Sequence, residues 1–152
     1  MRLTLRPLLL ILTTAGVAGA QEKPSVRYLN PPTLSKPTGY THVVEVGRGR
    51  TLYISGQVAL DPTGAVVGKG DLGAQTRQVF ENLKAAVAAA GGSLDDVVKI
   101  TVFMTDVSEL QTFRQVRDRA FTRHLPASSL VQVVRLARPE FLVEVEAVAV
   151  VE

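Results

Sequence analysis

With 152 residues, 17 basic and 14 acidic side chains and no cysteine, the chain has the size of one ordinary domain and has no route to thiolate catalysis or a cysteine metal site. Its two histidines, His42 and His124, lack HxH or HxxxH spacing, so no metal site is expected. Aromatic residues make up 5%, and most of the net charge of +3 comes from the first few residues, which excludes a general nucleic-acid binder built on a basic stripe or stacking rings.

Residues 1–20 read as a secretory leader, with Arg2 and Arg6 at its start, an apolar run from Leu8 to Leu12 continuing to Val17, and Ala18-Gly19-Ala20 as a small-residue exit. The run is shorter than the roughly 20 residues that span a bilayer, and no cysteine follows for lipid attachment, so export is favoured over anchoring. Cleavage would leave Gln21 first and 15 basic against 14 acidic residues, a net charge of +1. The expected location is periplasmic or secreted, with no membrane association after cleavage and no nucleic-acid partner. The lack of cysteine fits an oxidising compartment without disulfides.

Residues 21–37, polar and carrying Pro24, Pro31, Pro32 and Pro37, read as an extended arm leading into a domain over residues 38–152. Thr41 to Val46 and Thr51 to Val58 have the β-branched and aromatic content of strands, and Gly47-Arg48-Gly49-Arg50 between them suits a hairpin turn. Asp61-Pro62-Thr63-Gly64 is a turn by composition. Leu72, Thr76, Val79, Phe80, Leu83 and Val87 recur at helical spacing behind a capping Asp71, and Gly91-Gly92 ends the run.

Ser93 to Asp96 reads as a capped turn and Val97 to Met104 as an apolar strand inside the sheet. Ser108 and Gln111 have capping-box spacing before a second amphipathic helix marked by Leu110, Phe113, Val116, Ala120 and Phe121. Ser129 to Leu136 and Phe141 to Val151 read as two closing strands. This order implies an α+β fold, a single sheet with two helices packed on one face. In the last strand, alternation puts Val143, Val145, Ala147 and Ala149 on one face and Glu144, Glu146, Val148 and Val150 on the other. Acids beside valines on that second face suggest a subunit interface or a pocket wall.

Three strings, Leu52-Tyr53-Ile54-Ser55-Gly56-Gln57, Asp96-Val97-Val98-Lys99 with Val102-Phe103, and Val143-Glu144-Val145-Glu146-Ala147, stand in order around these helices. From about Tyr40 to its end the chain resembles the RidA/YjgF family. The resemblance implies a chorismate-mutase-like fold, a homotrimer with small-molecule clefts between subunits, and no cofactor. It also implies hydrolysis of reactive 2-imino or enamine acids to 2-oxo acids and ammonia. That chemistry needs a cation for the substrate carboxylate and groups that position a water and move protons at the imine carbon.

Matched motif by motif, the family's pocket tyrosine falls on Tyr40, its serine and glycine on Ser55 and Gly56, and its late acid on Glu144. The family's Pro-Ala-Arg-Ser motif is here Pro126-Ala127-Ser128-Ser129, so Ser128 stands where the family has its carboxylate-binding arginine. A pocket asparagine is replaced by Arg114 and a nearby cysteine by Leu130. The expected site is therefore Glu144 and Ser55 in catalysis, with Tyr40, Gly56, Arg114 and Ser128 binding substrate. Arg114 either reaches the cleft and supplies the missing charge or belongs to a solvated row with Arg117, Arg119 and Arg123. Two functions compete: an exported imine/enamine deaminase, and a catalytically divergent ligand-binding trimer whose cleft no longer selects carboxylates.

Overall fold

The computed structural model describes residues 25–152, so the leader expected at residues 1–20 and the start of the arm lie outside the described residues. The arm is more than an extended lead-in. Its strand β1 (Val26–Leu29) pairs antiparallel with β2 (Val43–Val46), setting Val26 opposite Val46 and Leu29 opposite Val43 in a two-stranded ribbon. The expected hairpin across Gly47–Arg50 does not form. Gly47 donates instead to the Ser25 carbonyl at 2.8 Å, and the next strand, β3 (Arg50–Gln57), pairs with the far end of the chain. The cause is apolar burial: Leu52 and Ile54 pack against the core, whereas Val43 and Val46 of β2 remain exposed and gain nothing by joining the main sheet.

Helix α1 (Leu72–Ala88) follows its reading closely: Asp71 accepts a hydrogen bond from the Ala74 amide at 2.9 Å, and the Leu72-to-Val87 stripe is buried. Gly91, at φ +85°, ends the turn in a left-handed conformation that a side chain would strain. Strand β4 (Val97–Met104) lies inside the sheet, between parallel β5 (Ala127–Gln132) and antiparallel β6 (Val143–Val151), in the order β3-β6-β4-β5. The parallel pair needs a crossover, which α2 (Leu110–Ala120) supplies. Asp106 rather than Ser108 begins that segment: its carboxylate accepts from the Ser108 amide at 2.8 Å, opening a short 3-10 turn at Val107–Glu109 that postpones the helix to Leu110. Strand β5 starts earlier and stops sooner than expected, which leaves Arg135 beyond the strand and Val134 fully exposed.

Both helices lie on one face of the four-stranded sheet. Helix α1 packs against β3 and β6 and against α2. Val79, Leu83, Ile100, Val102, Val143 and Val145 form the centre of the core at 0% exposure. Each such side chain contributes about 1.5–3 kcal/mol on leaving water, and truncating a core leucine such as Leu83 to alanine costs about 2–5 kcal/mol. The opposite face carries no helix.

Candidate functional site

Ser55 and Gly56 form a bulge in β3. Ile54 pairs with Ala147 and Gln57 with Val145, so these two residues face one residue of β6. The extra residue bends the strand, and the Glu144 side chain of β6 lies on the bend. A Cβ at Gly56 would overlap Glu144 Oε1 and stand 2.8 Å from its Cδ and 3.0 Å from its Cγ, so only glycine leaves room for the carboxylate. Glu144 is half-buried beside Phe103 of β4, on the helix-free face. Proton chemistry needs an acid held against a fixed backbone yet still reachable, and this arrangement supplies both.

What fixes Glu144 lengthwise was not legible as function. Gln75 of α1 is wholly buried; its amide donates to the carbonyls of Glu140 at 2.7 Å and Gly68 at 3.2 Å, and its oxygen accepts from the Leu142 amide at 2.9 Å. These bonds tie the entry of β6 to α1, two residues before Glu144. The signal was a glutamine inside the apolar stripe between Leu72 and Val79.

Beside Ser55 the bare face holds a depression of about 440 Å³, lined among others by Tyr53, Lys99, Thr101 and Glu146. Lys99 donates to Ser129 Oγ at 2.9 Å and to the Ile100 carbonyl at 2.7 Å. Burial pushes its ammonium below the usual lysine range, and the Glu146 carboxylate partly opposes that shift. Tyr53 is 85% exposed on the same face.

The other expected residues sit at the β5 edge. Thr41 donates to the Pro126 and Leu125 carbonyls and pairs with Ala127, which sets Tyr40 beside the start of β5, in edge contact with His42 at 5.1 Å between ring centroids. Ser128 pairs with Ile100 and Leu130 with Val102, so both side chains point to the helix-covered face. Arg117 of α2, 6% exposed, is held by Asp118 through Nε at 2.9 Å and Nη2 at 2.7 Å. It packs so closely on Gly39, at φ +89°, that a Cβ there would overlap its guanidinium. Arg114, one turn earlier, is half-buried, and its Nε has no hydrogen-bond partner among the described residues.

One chain therefore sets Glu144 on the Ser55–Gly56 bulge, and places Tyr40 and Ser128 at the β5 edge with Arg114 on α2. Three strand spacings, about 14 Å, separate β3 from β5, and the two groups occupy opposite faces. A small acid cannot touch both within one chain. A complete site of all six needs a second copy that lays its β5 edge against the bare face of the first.

Residues 33–151 match the family model described as Endoribonuclease L-PSP. A RutC family protein of Pyrococcus horikoshii is 41% identical over 115 residues, 75% of this chain and 89% of that protein. A 2-iminobutanoate/2-iminopropanoate deaminase of Salmonella typhimurium is 42% identical over 113 residues, 72% of this chain and 86% of that enzyme. Among solved structures, a Rid-family protein of unknown function from Yersinia pestis superposes with a TM-score of 0.78 at 38% identity, covering 83% of this chain and 98% of the other.

Proposed function

The chain belongs to the RidA/YjgF family, and from that premise we propose that it hydrolyses reactive 2-imino acids, and the enamines in equilibrium with them, to 2-oxo acids and ammonia. The observation that carries this reading is the Glu144 carboxylate held on Gly56, in the β3 bulge that Ser55 shares. In the proposed reaction Glu144 takes a proton from water as the oxygen adds to the imine carbon. The C–N π bond becomes a lone pair on nitrogen. Glu144 then returns that proton to the nitrogen, takes the proton of the newly formed hydroxyl and passes it to the same nitrogen, which leaves as ammonia while the oxygen closes to the carbonyl. Ser55 orients the water or the leaving nitrogen, and Gly56 keeps the floor flat. Tyr40 and the β5 edge of a neighbouring copy close the cleft, so a homotrimer is part of the proposal.

The competing reading, a binding trimer without this chemistry, draws on Ser128 and Leu130, which remove the charge and the thiol expected at the β5 edge. A ribonuclease reading has less support, since a net charge of +1 after loss of the leader offers little to a phosphate backbone. Ammonia release from freshly generated 2-iminopropanoate, with and without the protein, tests the proposal. Glu144→Gln is expected to lower the enzymatic rate by about 10²–10⁴-fold. A wild-type rate equal to the buffer rate would sink the reading. For export and assembly, native mass spectrometry of the protein from its own source should find three chains, each beginning near Gln21. Single chains that retain Met1 would refute both.

A further inference from the structure

Arg114 and Arg117 share one flank of α2 and meet opposite fates. Arg117 is matched twice by Asp118, whereas the Nε of Arg114 is shielded from water without a partner, and no ion pair found among the described residues includes it. Buried donors in native proteins are almost always satisfied, so such a guanidinium calls for an acceptor from outside the chain.

Helical geometry locates that acceptor. Thr112 faces α1, since a Cβ at Gly73 would meet its methyl at 3.5 Å, and Phe113 points into the core at 1% exposure. A further step of about 100° turns Arg114 away from α1, over the open β5 edge. Arg117 marks the level along the strand: its guanidinium packs on Gly39, two residues before Thr41, which pairs with Ala127. As the crossover between parallel strands, α2 runs back against β5. Three helical residues rise about 4.5 Å, against about 3.3 Å per strand residue, so Arg114 stands one to two strand residues further along, over the start of β5 and next to Ser128. Ser128 and Leu130 turn their side chains to this same helix-covered face.

We infer that Arg114 is the carboxylate anchor of this cleft, with the cation delivered from α2 instead of from β5. Its planar fork takes the two carboxylate oxygens of a small 2-oxo or 2-imino acid, Ser128 adds a neutral hydrogen bond, and Leu130 gives the adjoining apolar wall. That the acid is a 2-imino acid rests on the proposed deaminase function; the anchor itself does not.

Calorimetric titration with 2-oxobutanoate, the product-type acid, and steady-state kinetics on 2-iminobutanoate separate the two claims. Arg114→Gln should weaken 2-oxobutanoate binding by about tenfold or more and raise KM with a smaller change in kcat. Arg114→Lys should recover part of the affinity, and Ser128→Arg should restore binding in the Arg114→Gln background. Glu144→Gln should instead lower kcat and keep 2-oxobutanoate bound. Wild-type binding without imine turnover would uphold the anchor and overturn the deaminase. Turnover with KM and affinity unchanged in Arg114→Gln would overturn the anchor and leave the deaminase standing. If Arg114→Gln fails to fold, Arg114→Lys decides: affinity equal to wild type, or no 2-oxobutanoate binding by wild type itself, overturns the inference.

Discussion

Glu144 and Arg114 are both half-buried charges, yet the chain treats them differently. The Glu144 carboxylate has its place made by backbone: a bulge at Ser55–Gly56, a glycine with no side chain beneath it, and a strand whose entry is tied to α1 by Gln75. Arg114 projects from a helix whose buried Arg117 already holds the nearby Asp118, and nothing found among the described residues completes its Nε. On the proposed reading, one half of the site is finished by folding and the other waits for a ligand. Substitutions on the strand half should therefore disturb chemistry through position, and those on the helix half should disturb binding through charge.

The larger effect that can break this contrast is Gly56→Ala. The new methyl would overlap Glu144 Oε1, but the obstruction is the end of a flexible side chain, which can swing aside. Stability should fall by no more than about 1 kcal/mol, the low end of the overpacking range. Activity should fall further, about a hundredfold, as expected for a reacting group misplaced by about 1 Å. Melting temperature and kcat measured on the same preparation check this. Glu144→Ala should then add little in the Gly56→Ala background, because both changes remove one interaction. A Gly56→Ala protein with wild-type kcat would mean that the seat on Gly56 is irrelevant to catalysis.

Legibility follows the same division. Local periodicity made α1 and β4 readable, because a stripe from Leu72 to Val87 and a run from Val97 to Met104 each admit one burial pattern. Pairing partners were not local. Whether β3 joins β2 or β6 depends on Val151 meeting Arg50 across the whole domain, and no turn composition at Gly47–Arg50 encodes that. In the site, Ser55, Gly56 and Glu144 were legible as residues through their strings, but the overlap that makes glycine necessary is a contact between strands distant in sequence. The row Arg114, Arg117, Arg119 and Arg123 was the least legible part. Four arginines within ten residues look alike in sequence, and only the fold separates the buried Arg117 and half-buried Arg114 from the exposed Arg119 and from Arg123, which lies beyond the helix.

The smaller effect sharpens the contrast on the bare face, where Lys99 is a charge that has partners and still loses by burial. Desolvation holds its ammonium below the ordinary 10.5, with Glu146 opposing. The folded state therefore binds the Lys99 proton less tightly than the unfolded state does. Below the depressed folded value both states are protonated and the full penalty applies; as pH rises through that value towards 10.5 the penalty is relieved, so unfolding free energy should climb across this window. Lys99→Met should flatten that slope, read from urea midpoints at a series of alkaline pH values. The change should stay under about 1 kcal/mol, since the side chain is only partly buried and salt screens it. If copies of the chain cover this face, as the divided site requires, desolvation deepens on assembly, and the slope should steepen with protein concentration. A slope that is the same at high and low concentration would place the bare face in solvent and remove the second copy from the site.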